Sequence, residues 1–177
     1  MNAHGIELKG IEKFTHFSPF FFVLIFPVMG VVLPWIYPGG KDITLFWVIG
    51  IPVAFLAYWW QKRQLRFQVI HTNGNAEGNY HSIMALAHHL HWKVNVHRQS
   101  EFIQATVQGF PKTMASWGER VTVAFLSGDV FVNSICDPAK HSSITAFGRN
   151  IENVRAVAKA VREPNQALNS DPAATII

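Results

Sequence analysis

The chain has 177 residues, of which 49% are hydrophobic and 15% charged, and its formal net charge is +4. The whole excess lies in residues 61–177, with 12 basic and 8 acidic residues, and it forms no basic stripe interleaved with aromatic rings, which excludes the usual pattern of a nucleic-acid-binding protein. The single cysteine, Cys136, excludes an intramolecular disulfide and the common multi-cysteine zinc sites.

Residues 1–17 form an N-terminal segment ahead of the first apolar stretch. Leu8, Ile11 and Phe14 recur in it at helical spacing. One interpretation is a short helix that lies on a membrane surface, and the other is a disordered lead-in.

Two long apolar segments follow, at residues 18–37 and 43–60, and neither contains a charged residue or a histidine. An α-helix rises about 1.5 Å per residue, so each segment is about long enough to cross a hydrocarbon core of roughly 30 Å. The short, turn-forming PGGKD between them predicts an antiparallel transmembrane helix hairpin. A buried helix pair of a soluble protein is the alternative.

Each apolar segment contains a proline and a glycine. Pro27 and Pro52 remove a backbone donor near the middle of their helices, which predicts a kink and a freed carbonyl that a neighbour must cover. Gly30 and Gly50 allow close approach between helix backbones.

Basic residues flank the pair of segments on its terminal sides. Lys62, Arg63 and Arg66 follow the second segment directly, and we interpret them as a membrane-surface anchor. Two lysines precede the first segment, whereas the connecting loop holds only Lys41 beside Asp42. The positive-inside rule then predicts a multi-pass protein of the cell (inner) membrane with both termini in the cytoplasm. The apolar run of the first segment is longer than that of a signal peptide and no small-residue cleavage site follows it, so we expect the segment to be retained.

The more polar remainder predicts a small cytoplasmic α+β domain. Residues 61–79 are interpreted as the basic anchor and a linker, and the region after Pro164 as a flexible tail over residues 164–177. Helical and alternating patterns predict that residues 80–163 contain a helix, a four-stranded antiparallel meander and a second helix. The predicted helices are 80–91 and 150–162, and the predicted strands are 92–97, 101–109, 120–126 and 130–135. Both helices are expected on one face of the sheet.

Five of the nine histidines lie in residues 81–97. On a helical wheel His81 and His88 lie opposite the apolar face, so they avoid the core. His88 and His91, spaced i and i+3, predict a metal site if His97 on the following strand or His71 in the linker supplies a third ligand. A hydrophilic helix face that contains histidines by chance, or a pH-responsive contact surface, would explain the same pattern.

Two further places suggest chemistry. Arg149 with Gly148, just before the last helix, could form an anion-binding turn, and a plain capping turn with Asn150 as N-cap is the preferred interpretation. Cys136 with His141 could form a nucleophile and base, but no third group accompanies them, so a half-buried thiol at a strand end is the preferred interpretation.

Three apolar residues in the predicted loop between the second and third strands are candidate partner contacts. They are Phe110, Met114 and Trp117. Burial over the sheet edge is the alternative.

Because the two apolar segments contain no His, Asp, Glu, Lys or Arg, they exclude an intramembrane proton relay, a charged ion pathway and a histidine ligand for a bilayer haem. With no phosphate-binding loop or nucleophile elbow, the sequence favours a non-enzymatic accessory or scaffold subunit of a larger membrane complex, or a homo-oligomer, without a cofactor. Its expected partners are the lipid bilayer and other membrane subunits or copies of itself, and not nucleic acid. The alternative is a membrane-anchored sensor whose cytoplasmic domain binds a metal ion or a small anion, and a membrane-anchored enzyme is the third hypothesis.

Overall fold

The computed structural model of the protein describes residues 6–36, 44–107, 118–139 and 149–163. These residues form four helices and a five-stranded antiparallel sheet. In chain order the elements are α1 (Ile11–Ile36), α2 (Thr44–Gln64), β1 (Gln68–Ile70), α3 (Ala76–His89), β2 (Lys93–Arg98), β3 (Phe102–Val107), β4 (Glu119–Leu126), β5 (Asp129–Cys136) and α4 (Arg149–Arg162).

Helices α1 and α2 pack side by side in opposite directions. Early in α1, the ring of Phe17 stacks on that of Tyr58, late in α2, with 5.6 Å between the ring centroids. Further along α1, Pro27 contacts Gly50, which lies early in α2, and a Cβ atom on Gly50 would be 3.0 Å from Pro27 Cδ. The predicted close approach at Gly50 is therefore confirmed.

Among the described helices, α1 alone is long and apolar enough to cross a membrane. Helix α2 ends in a run of aromatic residues followed by Lys62 and Arg63, which lower its mean hydropathy. The membrane-spanning role of α2, and hence the transmembrane hairpin, stays a prediction. Helix α1 begins at Ile11, so it joins the end of the N-terminal segment to the first apolar segment in one element.

The sheet has the strand order β1-β5-β4-β3-β2. Strands β2 to β5 form the predicted meander, but the predicted count of four strands is wrong because β1 pairs with the free edge of β5. Strand β1 has three residues, too few for an alternating pattern, and it lies in the segment interpreted as a linker. Ile70 pairs with Val130 and is buried, so the linker contains a structural strand.

The β4–β5 connection is a two-residue turn, as the Gly-containing pattern predicts. Leu126 pairs with Asp129, and Ser127 and Gly128 between them have φ angles of 53° and 88°. Two successive positive φ angles are typical of a type I′ turn, whose twist matches that of the flanking strands.

Helices α3 and α4 pack on one face of the sheet, as predicted, and bury a single apolar core. Alternation along the strands sends every second side chain to this face. Its members with less than 2% exposure include Ile83 of α3, Val157 of α4, and Ile103, Val121, Val123, Val130 and Val132 of the strands.

We expect Gly50→Leu to weaken the packing of α1 on α2, because the new side chain would need the space that Pro27 occupies. Overpacking of this kind lowers the free energy of unfolding by roughly 1–3 kcal/mol. Thermal unfolding followed by circular dichroism in a mild detergent measures the change. Gly50→Ala should have a smaller effect, since Ala gains about 1 kcal/mol of helix propensity over Gly and offsets the tight contact.

Ile49→Leu is the matched control, because Ile49 lies in the same helix and is 52% exposed. Its unfolding midpoint should stay near that of the unmodified protein. Equal stability of Gly50→Leu and Ile49→Leu would contradict the contact between Gly50 and Pro27.

Candidate functional site: a buried polar junction between helices and sheet

The sheet face opposite α3 and α4 carries buried polar residues. We call it the second face, and it is formed by Arg120, Thr122 and Ala124 of β4, Phe131, Asn133 and Ile135 of β5, and their register partners on β1, β2 and β3. Thr122 is 2% exposed and its cross-strand partner Asn133 is 3% exposed. The ends of α1 and α2 meet this face, and we call the contact the polar junction.

Arg120 is the central residue of the polar junction. Its Nη2 donates to Glu12 Oε1 at 2.8 Å and to Asp137 Oδ1 at 2.7 Å. Glu12 belongs to the first turn of α1, and Asp137 follows the end of β5 directly. One guanidinium therefore ties the start of the first helix to the sheet.

This ion-pair cluster is largely removed from water. The side chains of Arg120 and Asp137 are 13% and 7% exposed, and that of Glu12 is 31% exposed. Burial by itself lowers the pKa of Arg120, but the hydrogen bonds and charges of Glu12 and Asp137 outweigh burial and raise that pKa above its ordinary value. The two carboxylates therefore favour the charged form of Arg120.

Asn133 fastens the end of α2 to the same face. Its Nδ2 donates to the carbonyl oxygens of Gln64 and Arg66, both at 2.7 Å. The last carbonyls of a helix have no partner inside the helix, so they must find donors elsewhere. Leu65 O accepts in the same way from the backbone N–H of Ile6 at 2.9 Å. The C-terminal end of α2 is thus capped by the sheet and by the segment that leads into α1.

A histidine links the two helices next to the junction. His16 Nε2 of α1 lies 3.1 Å from the carbonyl oxygen of Gln61 in α2. A carbonyl oxygen only accepts, so the proton of this hydrogen bond is on Nε2. Gln61 is buried, which places this contact between the helices rather than on their outer surface.

Three buried oxygens at or beside the junction lack a hydrogen-bond partner among the described residues. They are Gln61 Oε1, Thr122 Oγ1 and Asn133 Oδ1. A buried polar atom without a partner costs about 1–3 kcal/mol. The junction therefore contributes less to the free energy of unfolding than an apolar contact of the same size would. Its hydrogen bonds instead define the geometry between the helix ends and the sheet.

The predicted metal site at His88, His91 and His97 is not assembled within the described residues. His88 and His91 are exposed, and His97 lies in β2 with its side chain outside the described part. No group of three or more His, Cys, Asp or Glu side chains that could hold a metal ion occurs in the described ranges. The metal site stays a prediction.

Two other histidines of this stretch lie on α3. His81 is exposed, as predicted, and lies 4.0 Å from Glu77 one turn earlier. His89, which the helical wheel places to one side of the apolar face, is half-buried and its Nε2 atom is buried.

Arg149, predicted to bind an anion, lies near a carboxylate. Its Nη1 is 3.7 Å from Oε1 of Glu119, which is 1% exposed, so an anion would compete with Glu119 for this guanidinium. Helix α4 begins at Arg149, and the prediction of Asn150 as N-cap is wrong. The Asn150 side chain instead accepts from Ser134 Oγ at 3.0 Å and fastens the first turn of α4 to β5. Gly148 lies outside the described residues.

The remaining candidate residues are partly described. Lys62, Arg63 and Arg66 are exposed at the end of α2, where the guanidinium carbon of Arg63 lies 5.4 Å from the centre of the Trp59 ring. Cys136 is half-buried at the end of β5, as predicted. The predicted partner contacts Phe110, Met114 and Trp117, and the proposed base His141, lie outside the described residues.

No known protein family, curated protein or solved structure matches this chain.

Sequence reasoning missed the residues that form the polar junction. Thr122 and Asn133 interrupt two apolar strands at positions that pair across β4 and β5. Alternation alone assigns such positions to a solvent-exposed face. The sequence signal for the junction is the pair of polar residues within two apolar strands. Such a pair, if buried, needs hydrogen-bond partners from a second layer of structure on that face.

We expect Arg120→Met to destabilise the protein by roughly 3–5 kcal/mol, because it leaves the buried Asp137 carboxylate without its cation. Urea unfolding in a mild detergent, followed by hydrogen exchange at β4 and β5, measures the loss. Arg120→Lys should lose less, since an ammonium can still reach both carboxylates.

Arg155→Met on the exposed side of α4 is the matched control and should leave stability unchanged. If the two methionine variants unfolded at the same urea concentration, Arg120 would not hold the junction together.

Proposed function

We propose that the chain is a non-enzymatic, two-span membrane protein that serves as an accessory or scaffold subunit of a larger membrane complex, or as a homo-oligomer. In this proposal α1 and α2 cross the bilayer, the α+β domain lies in the cytoplasm, and the partners are lipid and other membrane subunits or copies of the chain.

The exposure of the two helices supports a lipid environment. In an apolar stretch of 18 residues within α1, only 11% of the residues are buried. A core helix of a soluble protein would be mostly buried. Phe22 and Phe26 of α1 are 65% and 57% exposed, and Phe55 and Leu56 of α2 are 67% and 59% exposed. An apolar surface of this extent on both helices favours a partner that is itself apolar.

The pairing of α2 with α1 supports two spans. The helices run antiparallel through the contact of Gly50 with Pro27, so a bilayer around α1 would also surround α2. The basic residues Lys62 and Arg63 then lie at the same level as the start of α1, where cytoplasmic headgroups would meet them.

The polar junction is the observation that carries the scaffold role. An anchor needs no more than a flexible tether, whereas here Arg120 and Asn133 hold the sheet to the ends of both helices. The soluble domain therefore keeps a fixed position above the membrane, which is what a subunit needs in order to place a surface for other proteins.

An exposed proline supports a further helix beside α2. Pro27 is buried against Gly50, but Pro52 is exposed on α2 together with Val48 and Phe55. Proline frees a helix carbonyl, and in lipid a neighbouring protein is the usual means of covering it. This surface of α2 is the proposed contact with another subunit or another copy.

The predicted topology can be read from two single cysteines placed in a Cys136→Ser background. Lys41→Cys, in the loop between the helices, should react with a membrane-impermeant maleimide on intact spheroplasts. Glu152→Cys on α4 should react only after lysis, because the positive-inside rule places the domain in the cytoplasm. Labelling in the opposite order would reverse the topology, and labelling of both sites before lysis would exclude a hairpin that spans the membrane.

Assembly is tested by extracting the full chain from its native membrane in polymer nanodiscs and measuring the mass of the complex by native mass spectrometry. We expect a mass clearly above the 19.9 kDa of one chain. A single chain with bound lipid alone would contradict the accessory or oligomeric role.

A photo-crosslinking amino acid placed in α2 tests the proposed contact of this helix with another subunit or another copy. At Phe55, beside Pro52, we expect adducts with a second chain or another subunit. Phe22 of α1 is the matched control, since the exposed fractions of the two side chains are 67% and 65%. Stronger adducts from Phe22 would place the contact on α1 instead.

A further inference from the structure

The second face of the sheet carries an apolar row that nothing among the described residues covers fully. Val69, Phe131, Ala124 and Phe102 are successive register partners on β1, β5, β4 and β3, so they form one line across four strands. Val69 is 46% exposed, and the other three side chains are half-buried. Leu126, which is 56% exposed, extends this apolar row towards the β4–β5 turn.

The apolar row is continuous with the polar junction. Ala124 and Phe131 lie two residues along their strands from Thr122 and Asn133, and on the same face. Asn133 in turn binds the carbonyl of Gln64, the last residue of α2. The second face therefore begins where the proposed membrane helices end.

Basic side chains lie at one end of the apolar row and at the end of α2. Arg98 pairs with Phe102 and ends the row on β2, and Lys93 lies on the same face beside Thr106. Both are exposed, as are Lys62, Arg63 and Arg66 at the end of α2.

Acidic groups also lie on this side of the domain. Asp129 is the register partner of Leu126, Glu101 lies 4.0 Å from Arg98, and Glu12 and Asp137 together exceed the charge of Arg120 by one. The five exposed basic residues outnumber these three net negative charges by two, so the second face together with the end of α2 is positive and complements a negatively charged surface.

We propose that the apolar row docks on the headgroup layer of the membrane that holds α1, and that anionic lipids are preferred there. Apolar side chains at the level of the headgroups, with Lys and Arg around them, are the features of surfaces that lie on anionic membranes. The inference rests on the proposed function, because it needs α1 in the bilayer, and it adds a second, peripheral contact that keeps the domain flat against the lipid.

Site-directed fluorescence quenching tests the docking. The full chain with Cys136→Ser is reconstituted in vesicles of phosphatidylcholine alone or mixed with phosphatidylglycerol. Environment-sensitive probes are attached at Val69→Cys, Leu126→Cys or, as the matched control, Ile151→Cys. Ile151 belongs to α4, on the other side of the domain, and its exposed fraction of 53% is close to the 56% of Leu126.

Nitroxides on the lipid headgroups should quench the probes at Val69 and Leu126 at least about twofold more strongly than the probe at Ile151, and more in vesicles that contain phosphatidylglycerol. Quenching of all three probes to the same extent overturns the docking. Equal quenching in the two vesicle types overturns the preference for anionic lipid. Arg98→Gln should reduce the difference between the vesicles, and an unchanged difference would also count against that preference.

A fourth probe, at Phe22→Cys in α1, separates this proposal from the proposed function. Nitroxides on the acyl chains should quench it if α1 lies in the bilayer. Quenching at Phe22 with no excess at Val69 and Leu126 overturns the docking and leaves the membrane role intact. Absence of quenching at Phe22 overturns both.

Discussion

The bridge from Arg120 to Glu12 and Asp137 is the interaction on which the relation between helices and sheet depends. It joins the start of α1 to the sheet directly, whereas the backbone hydrogen bond from Ile6 to Leu65 joins the segment before α1 to the chain that follows α2. A buried guanidinium between two carboxylates is a poor source of stability compared with apolar packing, but it defines direction, because both hydrogen bonds come from one nitrogen. The ion-pair cluster thus stabilises the fold less than apolar packing would, but it defines how the helices α1 and α2 are arranged relative to the sheet.

The two faces of the sheet perform different tasks. One face buries valine and isoleucine under α3 and α4 and supplies the hydrophobic free energy that folds the domain. The other is polar where the ends of α1 and α2 meet it and apolar beyond them. This division explains why β4 and β5 contain buried polar residues although both strands belong to the apolar core. One side of each strand packs under α3 and α4, and the other side, which is partly polar, contacts the ends of α1 and α2.

Much of this fold follows from local sequence patterns, whereas the junction does not. The period-two pattern over β4 and β5 and the glycine between them identify the hairpin, and the helical spacing of Ile83, Leu86 and Leu90 identifies α3, because these signals lie within one element. Strand β1 was not predicted because three residues are too few to show a period-two pattern. The role of Asn133 could not be predicted, since its partners are backbone carbonyls far away in the chain, and a backbone carbonyl has no sequence signature. The same holds for Arg120, whose partner Glu12 looks like an ordinary charge of a helix start.

The connection from α2 into the sheet is very short: α2 ends at Gln64 and β1 begins at Gln68, and β1 then pairs with β5, the strand that carries Asn133. The covalent route and the hydrogen-bonded route between helix and sheet therefore run side by side. Two parallel attachments resist twisting in a way that one cannot, so a rotation of α2 about its own axis would turn the edge of the sheet with it.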